Sequence, residues 1–234
     1  MAERKLRLAC IASGSGTDFE SIAKAWKNGW LPEIKEAVLI STKEGAGCLG
    51  KAAALDIRSK VVLPQRKALP VKELSAALYS LGGTDLIFLV GCIVRVPECL
   101  VTRGIPYKIP MYNIHPADPR KHGGQGMYGL TVHLHVLNEI KDLVERGMAK
   151  ATGRFFTTPT VHEAVAEYDQ GKELLRAQVE IPSDLVQFWV AGTYQCSDED
   201  MAKKLQQIVL PFEWMMLPCA VRLAAKKILD QQKN

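Results

Sequence analysis

From Leu6 to Ile114, short continuous apolar runs alternate with stretches whose apolar positions recur at helical spacing. Continuous runs of this length suit strands buried on both faces, and their alternation with helices is the sign of a parallel sheet with crossover connections. The pattern predicts strands at Leu6–Ala12, Ala37–Ser41, Ser59–Leu63, Asp85–Val90 and Pro110–Ile114. Helices are expected between them at Thr17–Asn28, Cys48–Leu55 and Val71–Leu81, the last stopped by Gly82-Gly83.

Beyond residue 115 the pattern changes. Gly123, Gly124, Gly126 and Gly129 crowd a loop, and a long amphipathic helix, Leu130–Arg146, follows and ends at Gly147. Two strands, Gly153–Val165 and Leu174–Ile181, are expected around the turn Asp169-Gln170-Gly171. Asp200–Lys227 reads as helical but interrupted at Pro211 and Pro218, because proline removes a backbone donor and clashes with the preceding turn. No repeat or linker divides the chain, so one α/β domain spanning residues 1–234 is expected.

With 47% hydrophobic and 24% charged residues, the chain falls outside the disordered class. Its net charge of +5 comes from interspersed residues rather than a basic stripe, so no nucleic-acid partner is indicated. No uninterrupted apolar run approaches the ~18–20 residues of a membrane span, and the N-terminus MAERKLRLACIASGSG reads as neither signal nor anchor. The six cysteines show no C-x-x-C pair and no zinc-finger spacing, which predicts reduced thiols, no metal, no membrane contact and a cytoplasmic location.

The candidate chemistry begins at Ser13-Gly14-Ser15-Gly16-Thr17, between the first strand and first helix. Small residues there let backbone amides and a helix N-terminus approach a phosphate; the same residues equally make a structural turn with Thr17 or Ser15 as N-cap. Phe19 replaces the third glycine of a dinucleotide fingerprint, which argues against NAD. Asp18 repels a dianion unless it faces a ribose hydroxyl or solvent. Gly45-Ala46-Gly47-Cys48-Leu49-Gly50-Lys51 mimics a P-loop, but Ala52 stands where a magnesium-binding Ser or Thr is needed, so ATP hydrolysis is rejected.

Asn113-Ile114-His115-Pro116 closes a predicted buried strand at the edge where open α/β sheets place ligands. Residues i and i+2 of a strand share a side, so Asn113 and His115 can aim an amide and an imidazole at one oxyanion, or simply cap the strand. His133 and His135 diverge on a helix and read as structural or surface residues. Near His162, Asp169 either orients His115 or is an ordinary turn residue before Gly171.

Taken together, Ser13-Gly14-x-Gly16-Thr17, Asn113-x-His115-Pro116 and Val161-His162-x-x-Val165-x-x-x-Asp169-x-Gly171 resemble the folate-dependent formyltransferases, above all those acting on glycinamide ribonucleotide. The resemblance runs along nearly the whole chain, from Ser41-Thr42-Lys43 and the Asp85–Gly91 stretch to Glu213 ahead of Pro218. It implies a Rossmann-like, mostly parallel open sheet with helices on both faces, the formyltransferase fold. It also implies formyl transfer from 10-formyltetrahydrofolate, used as co-substrate without a metal, to the amine of glycinamide ribonucleotide in purine synthesis. Asn113, His115 and Asp169 would be catalytic; Gly14, Ser15, Gly16, Thr17, Asp18 and Glu213 would bind the ribonucleotide; and Cys92, Ile93, Val94, Arg95, Val96, Val165, Ala166, Glu167 and Tyr168 would bind the folate.

On this resemblance a nucleotide half covers about 1–112 and a catalytic and folate half about 113–234, in a monomer or homodimer whose partners are small molecules. The chain departs from the family pattern at Asp18, where Asn is usual, at Val94-Arg95, where the loop arginine is displaced by one, and in an added charged stretch at Asn138–Thr152. A related transferase for another amine, such as an amino sugar, and a non-catalytic ligand-binding homologue are the alternatives.

Overall fold

The computed structural model describes residues 4–97, 99, 109–192 and 196–232. Its strands are β1 (Leu6–Ala12), β2 (Ile34–Ser41), β3 (Ser59–Val61), β4 (Leu86–Leu89), β5 (Met111–His115), β6 (Phe155–Thr157), β7 (Thr160–Glu163), β8 (Glu173–Arg176) and β9 (Val179–Ile181). Its helices are α1 (Thr17–Lys27), α2 (Gly47–Ala54), α3 (Val71–Ser80), α4 (Pro119–His122), α5 (Leu130–Glu145), α6 (Ser183–Ala191) and α7 (Asp198–Gln231).

Seven strands form one sheet in the order β3-β2-β1-β4-β5-β7-β8. The first five in sequence run parallel, and β7 and β8 pair antiparallel at the far edge. Because the chain moves outward from β1 to β2 and β3, then returns to place β4 on the other side, the strand order reverses at β1. The crevice beyond the carboxyl ends of β1 and β4 is where such sheets bind ligands.

Alternation along β1 sends Leu6, Leu8, Cys10 and Ala12 into one core layer with Phe19 and Ile22 of α1, Cys48 of α2 and Leu217 and Val221 of α7. Ala9 and Ile11 face the opposite layer with Val38, Ile40 and Leu74 and Leu78 of α3. Both faces of the sheet are thus covered, as the continuous apolar runs required, with ~1.5–3 kcal/mol from each fully buried large side chain. A third cluster joins α5, α6, β9 and the first half of α7 through Val136, Trp189, Val179 and Leu205.

Four expectations are corrected. The predicted strand Gly153–Val165 divides at Pro159 into β6 and β7, and Leu174–Ile181 divides into β8 and β9; β6 and β9 form their own antiparallel ribbon. The short helix α4, begun by Asp118 accepting the Arg120 N–H and by Pro119 in the first turn, and the helix α6 were not anticipated. α7 runs unbroken through Pro211 and Pro218. Each proline costs a helix interior about 3 kcal/mol, and burial of Leu205 and Val209 before Pro211, of Leu217 between the prolines, and of Val221 and Ala224 after Pro218 holds the helix together. α7 is also long and apolar enough, by length and composition, to cross a bilayer, although here it supplies these residues to the core.

Candidate active site

At the carboxyl ends of β1, β4 and β5 lies a cavity of about 670 Å³, within the range of small-molecule sites. Its walls are residues 14–18 after β1, 91–96 after β4, 113–116 at the end of β5, the loops 124–129 and 164–169, and Glu213 of α7. Every catalytic or binding residue expected from the resemblance lines this cavity. Among the described residues no cluster of three His, Cys, Asp or Glu side chains is placed to hold a metal ion.

Gly16 sits at the N-cap of α1 with φ of 75°, and no side chain caps the helix, so the proposed Ser15 or Thr17 cap is not formed. The turn is tight for a second reason: a Cβ on Gly16 would lie 2.4 Å from Cys48 Cβ. The Ser13 hydroxyl accepts from Thr42 Oγ1 at 2.7 Å and from the Ile93 N–H at 3.1 Å, tying this turn to β2 and to the loop after β4. The P-loop mimic is a turn into α2, with Lys51 paired to Glu20.

Asn113 and His115 project from β5 towards the loop carrying Asp169, which holds a left-handed φ of 58°. His115 is 3% exposed and lies 3.8 Å through Nδ1 from Asp169 Oδ2. Its Nε2 is 3.0 Å from the His122 carbonyl. A carbonyl only accepts, so Nε2 carries the proton and Nδ1 faces the carboxylate. Asn113 Nδ2 donates to Asp169 Oδ1 at 3.4 Å, and the Gly124 N–H donates to Asp169 Oδ2 at 2.9 Å.

Burial lowers the pKa of His115, outweighing the Asp169 charge and the His122 carbonyl, which raise it. Burial alone would raise Asp169, but His162, the Gly124 amide and the charge of His115 together hold it below the usual carboxylate range. The resting pair is therefore a neutral imidazole beside a carboxylate.

At the other end of the cavity, Glu213 is 5% exposed and Asp18 Oδ1 is buried without a hydrogen-bond partner among the described residues. The loop after β4 presents a mixed surface: Val94 and Val96 pack against the core, whereas Ile93 is exposed. Backbone bonds from Arg95 N–H to Lys67 O and from Leu69 N–H to Arg95 O anchor this loop. Burial pushes the Cys92 thiol up to about 11, so it serves as wall rather than nucleophile. Val165 and Tyr168, partly exposed, face it from the opposite loop.

Two histidines to which motif reading gives no role join the site. His162 lies directly opposite Asn113 in the β5–β7 register, with Asn113 Nδ2 3.4 Å from its Nε2 and Asp169 Oδ1 3.5 Å away. Its nearness to Asp169 in sequence is the available signal. His133, expected to be structural or surface, is 1% exposed and lines the cavity. Burial, with a smaller effect from His115, lowers its pKa to about 4. His135 is exposed, as one reading had it, and meets His122 through the two Nδ1 atoms at 2.9 Å.

No family model matches the chain. It is 31% identical over 185 residues, 76% of its length, to a chloroplastic phosphoribosylglycinamide formyltransferase of Vigna unguiculata. It is 29% identical over 182 residues to the protein of that name from Arabidopsis thaliana. The chain spans about half the length of these curated relatives, 52% and 56%. Among solved structures it resembles glycinamide ribonucleotide transformylase 1 from Symbiobacterium toebii, with a TM-score of 0.67, 24% identity, and coverage of 95% of this chain and 89% of that one. The resemblance read from the motifs is borne out along three quarters of the chain, and the fold expected from it is the fold observed.

Proposed function

We propose that this chain transfers a formyl group from 10-formyltetrahydrofolate to the amine of glycinamide ribonucleotide. The observation that carries the reading is the convergence of Asn113, His115 and Asp169 at one point of the ligand cavity, in a chain similar to proteins named for that reaction. The same comparisons favour this acceptor over an amino sugar, and the intact trio favours a working enzyme over a relic.

The residues fit the chemistry in order. The open N-terminus of α1 suits the phosphate, since its first amides have no side-chain cap. Glu213 suits ribose hydroxyls, being a buried acceptor that needs donors. The slot between residues 92–96 and 165–168 suits a flat heterocycle, with apolar walls and backbone polar groups at its edge.

In the transfer, the acceptor nitrogen bonds to the formyl carbon while the formyl oxygen gains negative charge. Asn113 Nδ2 donates towards that oxygen; its two bonds of 3.4 Å are long enough to be exchanged. His115, neutral at rest, takes the amine proton at Nδ1, and Asp169 stabilises the imidazolium that forms. The same proton then goes to the departing folate nitrogen as its bond to the formyl carbon breaks. Small soluble partners and a cytoplasmic setting accompany this reading, in keeping with six free cysteines.

The test is a formyl-transfer assay with both substrates, using His115→Ala as background. Turnover that the variant lacks supports the reading, and folate binding without turnover on this amine rejects the acceptor.

A further inference from the structure

Asp18 and Glu213 are two carboxyl groups on different helices that face the same end of the cavity, beside the turn at residues 14–17. Glu213 is 5% exposed, and among the described residues Asp18 Oδ1 is buried without a hydrogen-bond partner. The nearby carboxylate Glu20 is engaged elsewhere, by Lys24 and Lys51. The cations of the cavity wall are Lys67 and Arg95, on segments that follow β3 and β4, while Asp169, His115, His133 and His162 belong to the formyl-transfer end.

What acts on Glu213 is burial and then the charge of Asp18, both raising it well above the carboxylate range. What acts on Asp18 is burial, which raises it to about 6, opposed by the Trp214 indole N–H. Two buried acceptors facing one space without a cation between them cannot both ionise cheaply. An anion arriving at the α1 N-terminus makes ionisation dearer still, whereas a cationic ligand would make it cheaper.

We infer that Asp18 and Glu213 are a proton-linked specificity pair for the acceptor: docking an anionic ligand group at the turn of residues 14–17 draws a proton onto the pair. This rests on the ribonucleotide reading above. The substrate then sits between the positive end of α1 and a neutralised carboxyl pair whose O–H can donate to it. A chain with Asp at position 18 can in this way accept a phosphate that an ionised Asp18 would repel. Capture of the acceptor therefore weakens as pH rises above the range in which the pair holds its proton, while the chemical step, set by His115 and Asp169, does not follow.

The experiment is calorimetric titration of glycinamide ribonucleotide into the protein at pH 7 in buffers of different ionisation enthalpy, for wild type, Asp18→Asn and Glu213→Gln. The ligand's own ionisations are common to all three and cancel in the differences. Wild type is expected to take up more protons per ligand bound than either variant, by a substantial fraction of one proton. Its acceptor KM should rise several-fold from pH 6 to pH 8, with a flatter rise in Asp18→Asn and no matching change in kcat. Equal proton counts in wild type and both variants overturn the inference. If the ribonucleotide does not bind, the functional reading fails instead, and carboxyl-carbon NMR titration of the free protein decides the pair separately. One carboxyl protonated near pH 6 sustains it, and two ordinary carboxylate titrations overturn it.

Discussion

His115 Nε2 donates to the main-chain carbonyl of His122, 3.0 Å away, so the loop after β5 fixes which nitrogen of the imidazole is free for chemistry. Nδ1 is left facing Asp169. His115→Ala should lower kcat by ~10²–10⁴-fold, the usual contribution of a positioned proton-transfer group, and change folate binding little. His115→Gln should be as inactive while melting near wild type, which separates lost chemistry from lost packing.

The pH dependence of kcat follows from the same geometry. Burial keeps His115 below the ordinary imidazole value of 6.5, so the neutral form that the proposed transfer needs is present at neutral pH and disappears only in acid. The wild-type rate should rise with pH to a plateau, with its midpoint below 6.5. Asp169→Asn removes a charge that raises His115, so the midpoint should move further into acid while the plateau falls, by ~10–10³-fold, because the imidazolium loses its stabilising partner. Asn tolerates the left-handed conformation at position 169, so the loop should keep its shape. An unchanged midpoint and plateau would separate Asp169 from His115.

At the turn of residues 14–17, neighbouring glycines should behave differently. Gly16 has φ of 75° and its missing Cβ would fall 2.4 Å from Cys48 Cβ, whereas a Cβ on Gly14 meets nothing within 4 Å. Gly16→Ala should therefore destabilise the protein by ~2–4 kcal/mol, from backbone strain and overpacking together. Gly14→Ala should fold with near-normal stability but weaken the acceptor by narrowing the phosphate approach. Denaturant melts and acceptor KM values for the two variants make the comparison.

Legibility in the sequence follows the range of the interactions involved. The buried run Leu6–Ala12 is readable because its signal is local: every residue is apolar apart from Arg7, whichever neighbours it has. Asn113 and His115 are readable because two-residue spacing on a strand fixes a shared side. The breaks at residues 158–159 and 177–178 are not, because a continuous apolar pattern does not say which sheet each part joins. Local rules break α7 at its prolines, whereas packing on both sides of each outweighs the local penalty. His162 belongs to the site through cross-strand register with Asn113, and His133 through the docking of α5 near His115; neither relationship is written in sequence spacing.

Burial of Asp18 also ties the stability of the fold to pH. Its folded pKa is raised from 3.8 to about 6, so the native state binds a proton that the unfolded chain has released between those values. Stability attached to this group is fully present below pH 3.8 and is lost as pH rises through about 6. Asp18→Asn removes that loss without changing side-chain size. The variant should gain stability over wild type by up to ~3 kcal/mol at pH 7 and by progressively less towards pH 4, since a tenfold change in proton affinity corresponds to about 1.4 kcal/mol. His133 works in the opposite sense: its folded value of about 4 keeps stability above pH 6.5 and loses it in acid. Taking the difference between variant and wild type at each pH cancels His133 and leaves Asp18 together with the part of Glu213 that the Asp18 charge sets. Urea melts of both proteins from pH 4 to pH 8 are the measurement, and a difference that stays flat with pH would mean that the Asp18 carboxyl is ionised as easily in the fold as in the open chain.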